Sequence, residues 1–116
     1  MLTGSLPPIS RRSTYIETFE GIDDATGEPI DFTGADIKVE IFSDIGRDDY
    51  GWWDRAACLT ATLTNGVTMP DTGVIQWRFE AGSMSRFCRG LAGLRLTVSR
   101  DGDTDVLARL TLPIED

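Results

Sequence analysis

The chain has 116 residues, of which 41% are hydrophobic, and its 19 acidic residues outnumber its 11 basic ones to give a formal net charge of −8. This length and apolar content suit one globular domain with a real core rather than a disordered chain. A chain this acidic, with no basic block, is a poor candidate for binding nucleic acid or an anionic membrane. No stretch approaches the roughly 20 apolar residues that span a bilayer.

The sequence contains no histidine. A Ser-His-Asp or Cys-His nucleophile is therefore excluded, and the commonest metal ligand is missing. No phosphate-binding or dinucleotide-binding glycine pattern stands between a strand and a helix. The carboxylates are scattered over predicted loops, so a hydrolase built on an acid pair ranks well behind a binding role. We predict that the protein is not an enzyme and needs no cofactor.

Residues 1–13 predict an irregular N-terminal arm, and residues 14–116 predict a single β domain. Pro7 and Pro8 in the arm resist both helix and central strand. The start of the chain lacks the charged and apolar regions of a signal peptide. We therefore expect the protein to be made and kept in a cytoplasm until a larger assembly leaves it.

The end of the arm carries Arg11 and Arg12, a basic pair on an acidic chain. Two interpretations of the arm stay open. It is a disordered tail, or it lies along a neighbouring subunit where the two arginines contact acidic surface.

Three segments after the arm have the composition or the alternation of strands, namely residues 13–21, 35–44 and 58–66. The segment between the first two, residues 22–34, is rich in turn-forming residues. Asn65-Gly66 ends the third segment and is a favoured two-residue hairpin turn.

Residues 44–56 predict a loop that holds three aromatic side chains, Tyr50, Trp52 and Trp53. In one interpretation the tryptophans cover an open end of the β domain. In the other they bind a protein partner, because aromatic side chains dominate the energetics of interfaces.

The last 46 residues contain three alternating runs separated by a short turn and by a tight acidic hairpin. The run between the first two strands is long enough for a single helical turn. Period-two alternation is typical of half-buried antiparallel strands. The residues predicted to face a common core are Ile75, Trp77, Phe79, Leu94, Leu96, Val98, Val106, Ala108 and Leu110. Six or seven short strands with frequent turns predict an all-β, antiparallel two-sheet sandwich.

The acidic hairpin carries Asp101, Asp103 and Asp105, a spacing shared with the start of a calcium-binding loop. The glycine and the later glutamate of such a loop are missing, and an Asp-Gly hairpin turn explains Gly102 without a metal. We predict no metal site here.

Cys58 and Cys88 are the two cysteines of the chain. In a cytoplasmic product both are expected to be free thiols. The alternative is a disulfide, within the chain or between subunits, formed when a released particle meets oxidising conditions; it requires α-carbons within about 7 Å.

Two motifs stand in order along residues 27–114. Asp31-Phe32-Thr33-Gly34 leads into a strand, and Gly73-Val74-Ile75-Gln76-Trp77-Arg78-Phe79 forms a strand that is followed by a short turn and a C-terminal hairpin. In this arrangement the chain resembles small immunoglobulin-like proteins of tailed bacteriophages. Such domains occur in baseplate, tail and fibre-attachment proteins.

The resemblance implies an immunoglobulin-like sandwich that acts as a structural part of a virion tail, neck or baseplate, without catalysis. Its partners would be other virion proteins, met in multiple copies. The candidate contact residues are Arg11, Arg12, Tyr50, Trp52 and Trp53. The alternative function is a free-standing module that recognises a carbohydrate or a peptide through its aromatic loop.

Overall fold

The computed structural model describes residues 2–43, 56–87 and 89–116. This part of the chain is all-β with a single helical turn, as predicted. The strands are β1 (Leu2–Ser5), β2 (Ile9–Ser10), β3 (Tyr15–Glu20), β4 (Asp36–Phe42), β5 (Leu59–Leu63), β6 (Gly66–Asp71), β7 (Val74–Phe79), β8 (Gly90–Arg100) and β9 (Asp103–Glu115), and the helical turn α1 spans Ala81–Met84.

The strands form one curled, mixed sheet in the order β1-β9-β8-β4-β5-β6-β7-β3, with β2 also paired to β9. Most neighbours are antiparallel, but β1 and β2 run parallel to β9, and β5 runs parallel to β6. The prediction of a purely antiparallel arrangement is therefore wrong at these three pairs. It also counted too few strands, because the N-terminal arm contributes two.

Strands from both ends of the curled sheet contribute side chains to one core. Ile41, Leu94 and Leu96 enter it from β4 and β8, while Val67 and Trp77 enter it from β6 and β7. All five are almost completely buried. Burial of this apolar surface is the main favourable contribution to folding, and it requires the sheet to close on itself.

The predicted alternation is confirmed in β7 and through most of β8 and β9. Seven of the nine residues predicted to face the core are buried in it, and Val98 packs against it partly exposed. Val106 is the exception. The β8–β9 register shifts after Leu96, which pairs with Ala108 while Thr97 pairs with Val106. This bulge skips Leu107, so Leu107 packs against the core and the prediction for Val106 is wrong.

The acidic hairpin between β8 and β9 turns at Asp101-Gly102, with φ of 52° and 85°. Positive φ at both central residues is the property of a type I′ turn, whose twist matches that of the flanking strands. The predicted Asp-Gly hairpin is confirmed.

The turn at Asn65-Gly66 differs from its prediction. Thr62 pairs with Gly66 in a parallel direction, so the chain makes a corner between β5 and β6 instead of a hairpin. A Cβ at Gly66 would lie 3.0 Å from the Cβ of Ala61 and 3.1 Å from the carbonyl oxygen of Arg78. Glycine is thus required, because the main chain at Gly66 lies close to Ala61 of β5 and to the main chain of Arg78 in β7 at the point where the sheet bends.

The prediction of an irregular arm is also wrong. Its residues add β1 and β2 to the outer edge of β9, and Pro7-Pro8 occupies the gap between the two strands. The ladder supplied by β9 satisfies the main-chain groups of a segment that has no hydrophobic alternation of its own. The domain boundary after residue 13 stays a prediction.

Candidate interaction surface

The edge of β9 holds the arm through main-chain hydrogen bonds. The amide of Leu6 donates to the carbonyl of Thr111 at 2.9 Å, and the amide of Arg11 donates to the carbonyl of Glu115 at 2.8 Å. Since alternate residues of a strand face the same neighbour, Pro113 faces the arm as well. Pro113 has no N–H to donate, and it faces the part of the arm where Pro7-Pro8 leaves the ladder.

The guanidinium of Arg11 fastens the inner part of the arm to its own chain. Its Nε lies 2.8 Å from the Oδ1 of Asp116, and its Nη1 donates to the carbonyl of Phe87 at 3.1 Å. Arg89 lies 3.9 Å from the other carboxylate oxygen of Asp116. The acidic group that Arg11 meets in this structure is therefore intramolecular, whereas Arg12 is exposed.

The outer part of the arm is held differently. All four residues of β1 are exposed, and Leu2 keeps 52% of its surface in solvent. Leu6 and Ile9, which follow, pack partly buried against the core. The strand β1 is thus attached by its main-chain ladder with little side-chain burial, while the segment from Leu6 to Arg11 adds apolar packing and the arginine contacts.

Within the described residues, the sheet ends at β3 on one side and at β1 on the other. On β3, Glu17 pairs with the buried Trp77 and so lies on the core-facing side, half-buried. An inward charge on an edge strand disfavours pairing with a further strand. The strand β1, Leu-Thr-Gly-Ser, has no charged residue and no such protection.

A cavity of about 420 Å³ lies between the turn before β4 and the β8–β9 hairpin. Apolar side chains of Ile30, Phe32, Val98 and Leu107 line it together with Asp31, Arg100, Asp101, Asp103 and Asp105. The guanidinium of Arg100 donates to the carbonyls of Asp31 at 2.8 Å and Thr33 at 3.0 Å. The arginine therefore ties the turn to the hairpin.

The Asp31-Phe32-Thr33-Gly34 motif forms the turn that enters β4. The amide of Thr33 donates to the Oδ1 of Asp31 at 2.9 Å, and hydrogen bonding from Thr33 lowers the pKa of the Asp31 carboxyl below its ordinary value. Phe32 is buried in the core, and Gly34 takes a positive φ of 81°. The motif is explained by turn geometry and packing.

The buried Glu40 carboxylate has a structural explanation as well. Arg95 binds the Oε1 of Glu40 at 2.8 Å, and its guanidinium lies 5.1 Å from the centre of the Phe42 ring. Burial raises the pKa of the Tyr15 phenol above its ordinary value. Tyr15 lines a pocket together with Pro7, Ile9 and Ser10 of the arm.

Several predicted site residues lie outside the described residues, namely Tyr50, Trp52, Trp53 and Cys88. Their roles stay predictions. Cys58 carries an exposed free thiol. Among residues 2–43, 56–87 and 89–116, no three potential ligands gather into a metal-binding group, and no helix is long and apolar enough to cross a membrane.

The sequence indicated the arm and Arg11 as candidate contact sites, but it did not predict that the arm pairs with β9 or that Arg11 binds Asp116 of the same chain. The signal in the sequence was weak, because a four-residue strand without alternation resembles a coil. Comparison with known proteins adds nothing further: no protein-family model matches the chain, and no curated protein matches it either.

Proposed function

We propose that this protein is a structural component of a tailed-phage virion, in the tail, neck or baseplate, and that it acts through protein–protein contacts. In this proposal the molecule is an immunoglobulin-like sandwich, resides in the virion, and has no catalytic role and no contact with nucleic acid or membrane. The sequence motifs that resemble phage immunoglobulin-like proteins, the absence of histidine and the net charge of −8 support it.

The strand order supports the immunoglobulin-like part of the proposal. From β3 to β9, the seven strands take the chain-order names B, C, C′, D, E, F and G of a variable-type immunoglobulin domain. The order β9-β8-β4-β5 then becomes G-F-C-C′, and the order β6-β7-β3 becomes D-E-B. These two groups match the strand sets of the two sheets of that fold, and this match supports the proposal; in the structure they are parts of one curled sheet that bends at Gly66.

One observation carries the contact role: the outermost strand, β1, is exposed along its whole length and has no charge. An unprotected edge presents unpaired N–H and C=O groups that another strand can bind, and soluble monomers usually cover or charge such an edge. The opposite edge, β3, keeps its protection through Glu17.

The proposal is tested on particles released by the strain that carries the gene. A photo-crosslinking residue is placed at Thr3 on β1 and, as a matched control, at Thr18 on the exposed side of β3. We expect the protein in purified particles, with crosslinks to virion proteins from position 3 that exceed those from position 18. Absence from particles, together with a soluble monomer that binds glycans or peptides, would overturn the virion role.

A further inference from the structure

We propose that β1 is an exchangeable strand: where two copies of this chain meet, residues 2–5 leave their own β9 and occupy the same edge of the second copy. This inference rests on the proposed function, since it names the partner and the contact within a multi-copy assembly. The strand β2 and the rest of the fold stay in place.

The first step of the argument is that β1 is easily released. Its register with β9 runs from Leu2 opposite Ala108 to Ser5 opposite Thr111, which makes a ladder of only four residues. None of its side chains is buried. Release therefore breaks short main-chain pairing and uncovers almost no apolar surface from β1 itself.

The second step is that release stops at a defined point, because Leu6, the residue after β1, donates its amide to the carbonyl of Thr111 at 2.9 Å and packs against the core. Pro7 and Pro8 cannot donate main-chain hydrogen bonds, and the gap they occupy faces Pro113, which cannot donate either. No ladder therefore connects β1 to β2 along this stretch. Beyond it, Arg11 keeps three contacts with its own chain, to Glu115, Asp116 and Phe87.

The third step is that a vacated β9 edge needs a replacement. Ala108 and Leu110 in this part of β9 are buried in the core, so the strand itself stays fixed with its outer main-chain groups unpaired. Unpaired main-chain groups on a fixed edge are a template for another strand. The β1 of a second copy restores the same hydrogen bonds.

The fourth step selects a second copy as the occupant. Gly4, opposite Leu110, takes a φ of +149°, a conformation that favours glycine. A strand that fits this edge in the same register therefore needs a glycine at that position, and the chain's own β1 supplies it. The absence of charge on β1 also lets two chains of net charge −8 meet there without local repulsion.

Because exchange replaces each lost contact with an identical one, its equilibrium depends mainly on protein concentration. The experiment uses full-length chains in which Cys58 and Cys88 are replaced by serine. One population carries Ser5→Cys and a second carries Thr111→Cys. The two are mixed under mild oxidation, and disulfide-linked dimers are counted by mass spectrometry.

We expect a mixed dimer that rises with total concentration. A mixture of Ser5→Cys with Thr104→Cys, whose position lies next to the hairpin, gives the background of random collisions. Adding Gly4→Val to the Ser5→Cys chain should reduce the mixed dimer to that background. Urea unfolding of each variant checks that the fold is intact, and a yield at background in folded chains would overturn exchange.

The double variant Ser5→Cys/Thr111→Cys locks β1 within its own molecule when oxidised. The matched lock is Ser99→Cys/Thr104→Cys, which joins two residues of β8 and β9 whose hydroxyls lie 3.0 Å apart and leaves β1 free. We expect loss of self-association in the first lock alone, restored by reduction. A first lock that associates normally would contradict the proposal.

Failure of this inference is distinguishable from failure of the virion role. If locked protein still enters particles, exchange is wrong while the virion role stands. A crosslink from β1 to a different virion protein instead of a second copy overturns the choice of occupant. The mixing assay needs no particles, so its result stands even if the protein is absent from them.

Discussion

Trp77 is the largest of the fully buried side chains in the described part of the chain. It lies between Glu17 of β3 and Val67 of β6 on a central strand, and only 1% of its surface is exposed. We expect Trp77→Ala to lower the free energy of unfolding by about 3 to 5 kcal/mol, because the cavity cannot close fully. Urea denaturation measures it, and Gln76→Ala, on the opposite face of the strand, should stay within about 0.5 kcal/mol. Equal effects would contradict the assigned core.

The Glu40–Arg95 pair is the second residue-scale test. Its side chains are 10% and 19% exposed, so removing Arg95 leaves the poorly solvated carboxylate of Glu40 to the more distant Lys38, whose Nζ lies 3.9 Å from the same oxygen and whose side chain is 49% exposed. We expect Arg95→Met to cost about 3 kcal/mol, and Glu40→Gln/Arg95→Met to recover much of that loss. A double-mutant cycle measures the coupling between the two residues.

The control for that cycle is the Arg78–Glu80 pair. Its atoms are also 2.8 Å apart, but its side chains are 55% and 66% exposed. Solvent screening should leave no measurable coupling there. Equal coupling energies in the two cycles would show that burial does not strengthen the Glu40–Arg95 interaction.

At the scale of elements, the β8–β9 hairpin depends on its turn. Gly102 has a φ of 85°, and a Cβ added there would meet no other atom within 4 Å, so the cost of Gly102→Ala is conformational alone. We expect a loss of about 1 kcal/mol. Gly82→Ala, in the helical turn and equally free of neighbouring atoms, should be neutral or stabilising. Thermal unfolding of both variants separates backbone strain from a general effect of adding a methyl group.

The strands and turns of this sheet show how much of an element can be predicted from the sequence. The alternation of β7 was sufficient to place Ile75, Trp77 and Phe79 correctly, and the Asp-Gly dipeptide was sufficient to place the β8–β9 turn. Alternation could not place Val106, because Val106, Leu107 and Ala108 are three consecutive apolar residues and nothing in that run marks the bulge at Leu107. The prediction of a hairpin at Asn65-Gly66 was wrong for a related reason. The dipeptide specifies a tight turn, but tertiary packing determines whether the strands on either side of it pair with each other in parallel.

Local sequence patterns could not predict the strands of the arm or its contacts. Nothing in Leu-Thr-Gly-Ser predicts a strand until β9 offers an edge, and nothing near Arg11 predicts that its partner is Asp116 of the same chain. Both depend on contacts between distant parts of the sequence. The candidate surface could therefore be located in the sequence, but its geometry could not.

At the scale of the whole molecule, stability should be graded across the sheet. The strand β8 is paired on both sides, to β4 and β9, whereas β1 is paired on one side over four residues. We expect β8 amides to exchange with deuterium only through global unfolding and β1 amides through local opening. Exchange measured at rising urea distinguishes them: rates in β8 should increase steeply, and rates in β1 should barely change. Uniform urea dependence would show that the arm opens only with the core.

The parallel pairing of β1 with β9 also sets an order of folding. The edge that receives β1 does not exist until β9 has paired with β8, and the residues it joins, such as Leu2 and Ala108, lie at opposite ends of the chain. Contacts of such long sequence separation form late, because the intervening chain must first be ordered. We therefore expect β1 to be the last strand to join the sheet. We therefore expect a stage of folding at which the core is complete and the arm is still free. At that stage the local concentration of newly made copies would determine whether the arm pairs with its own β9 or with the β9 of another copy.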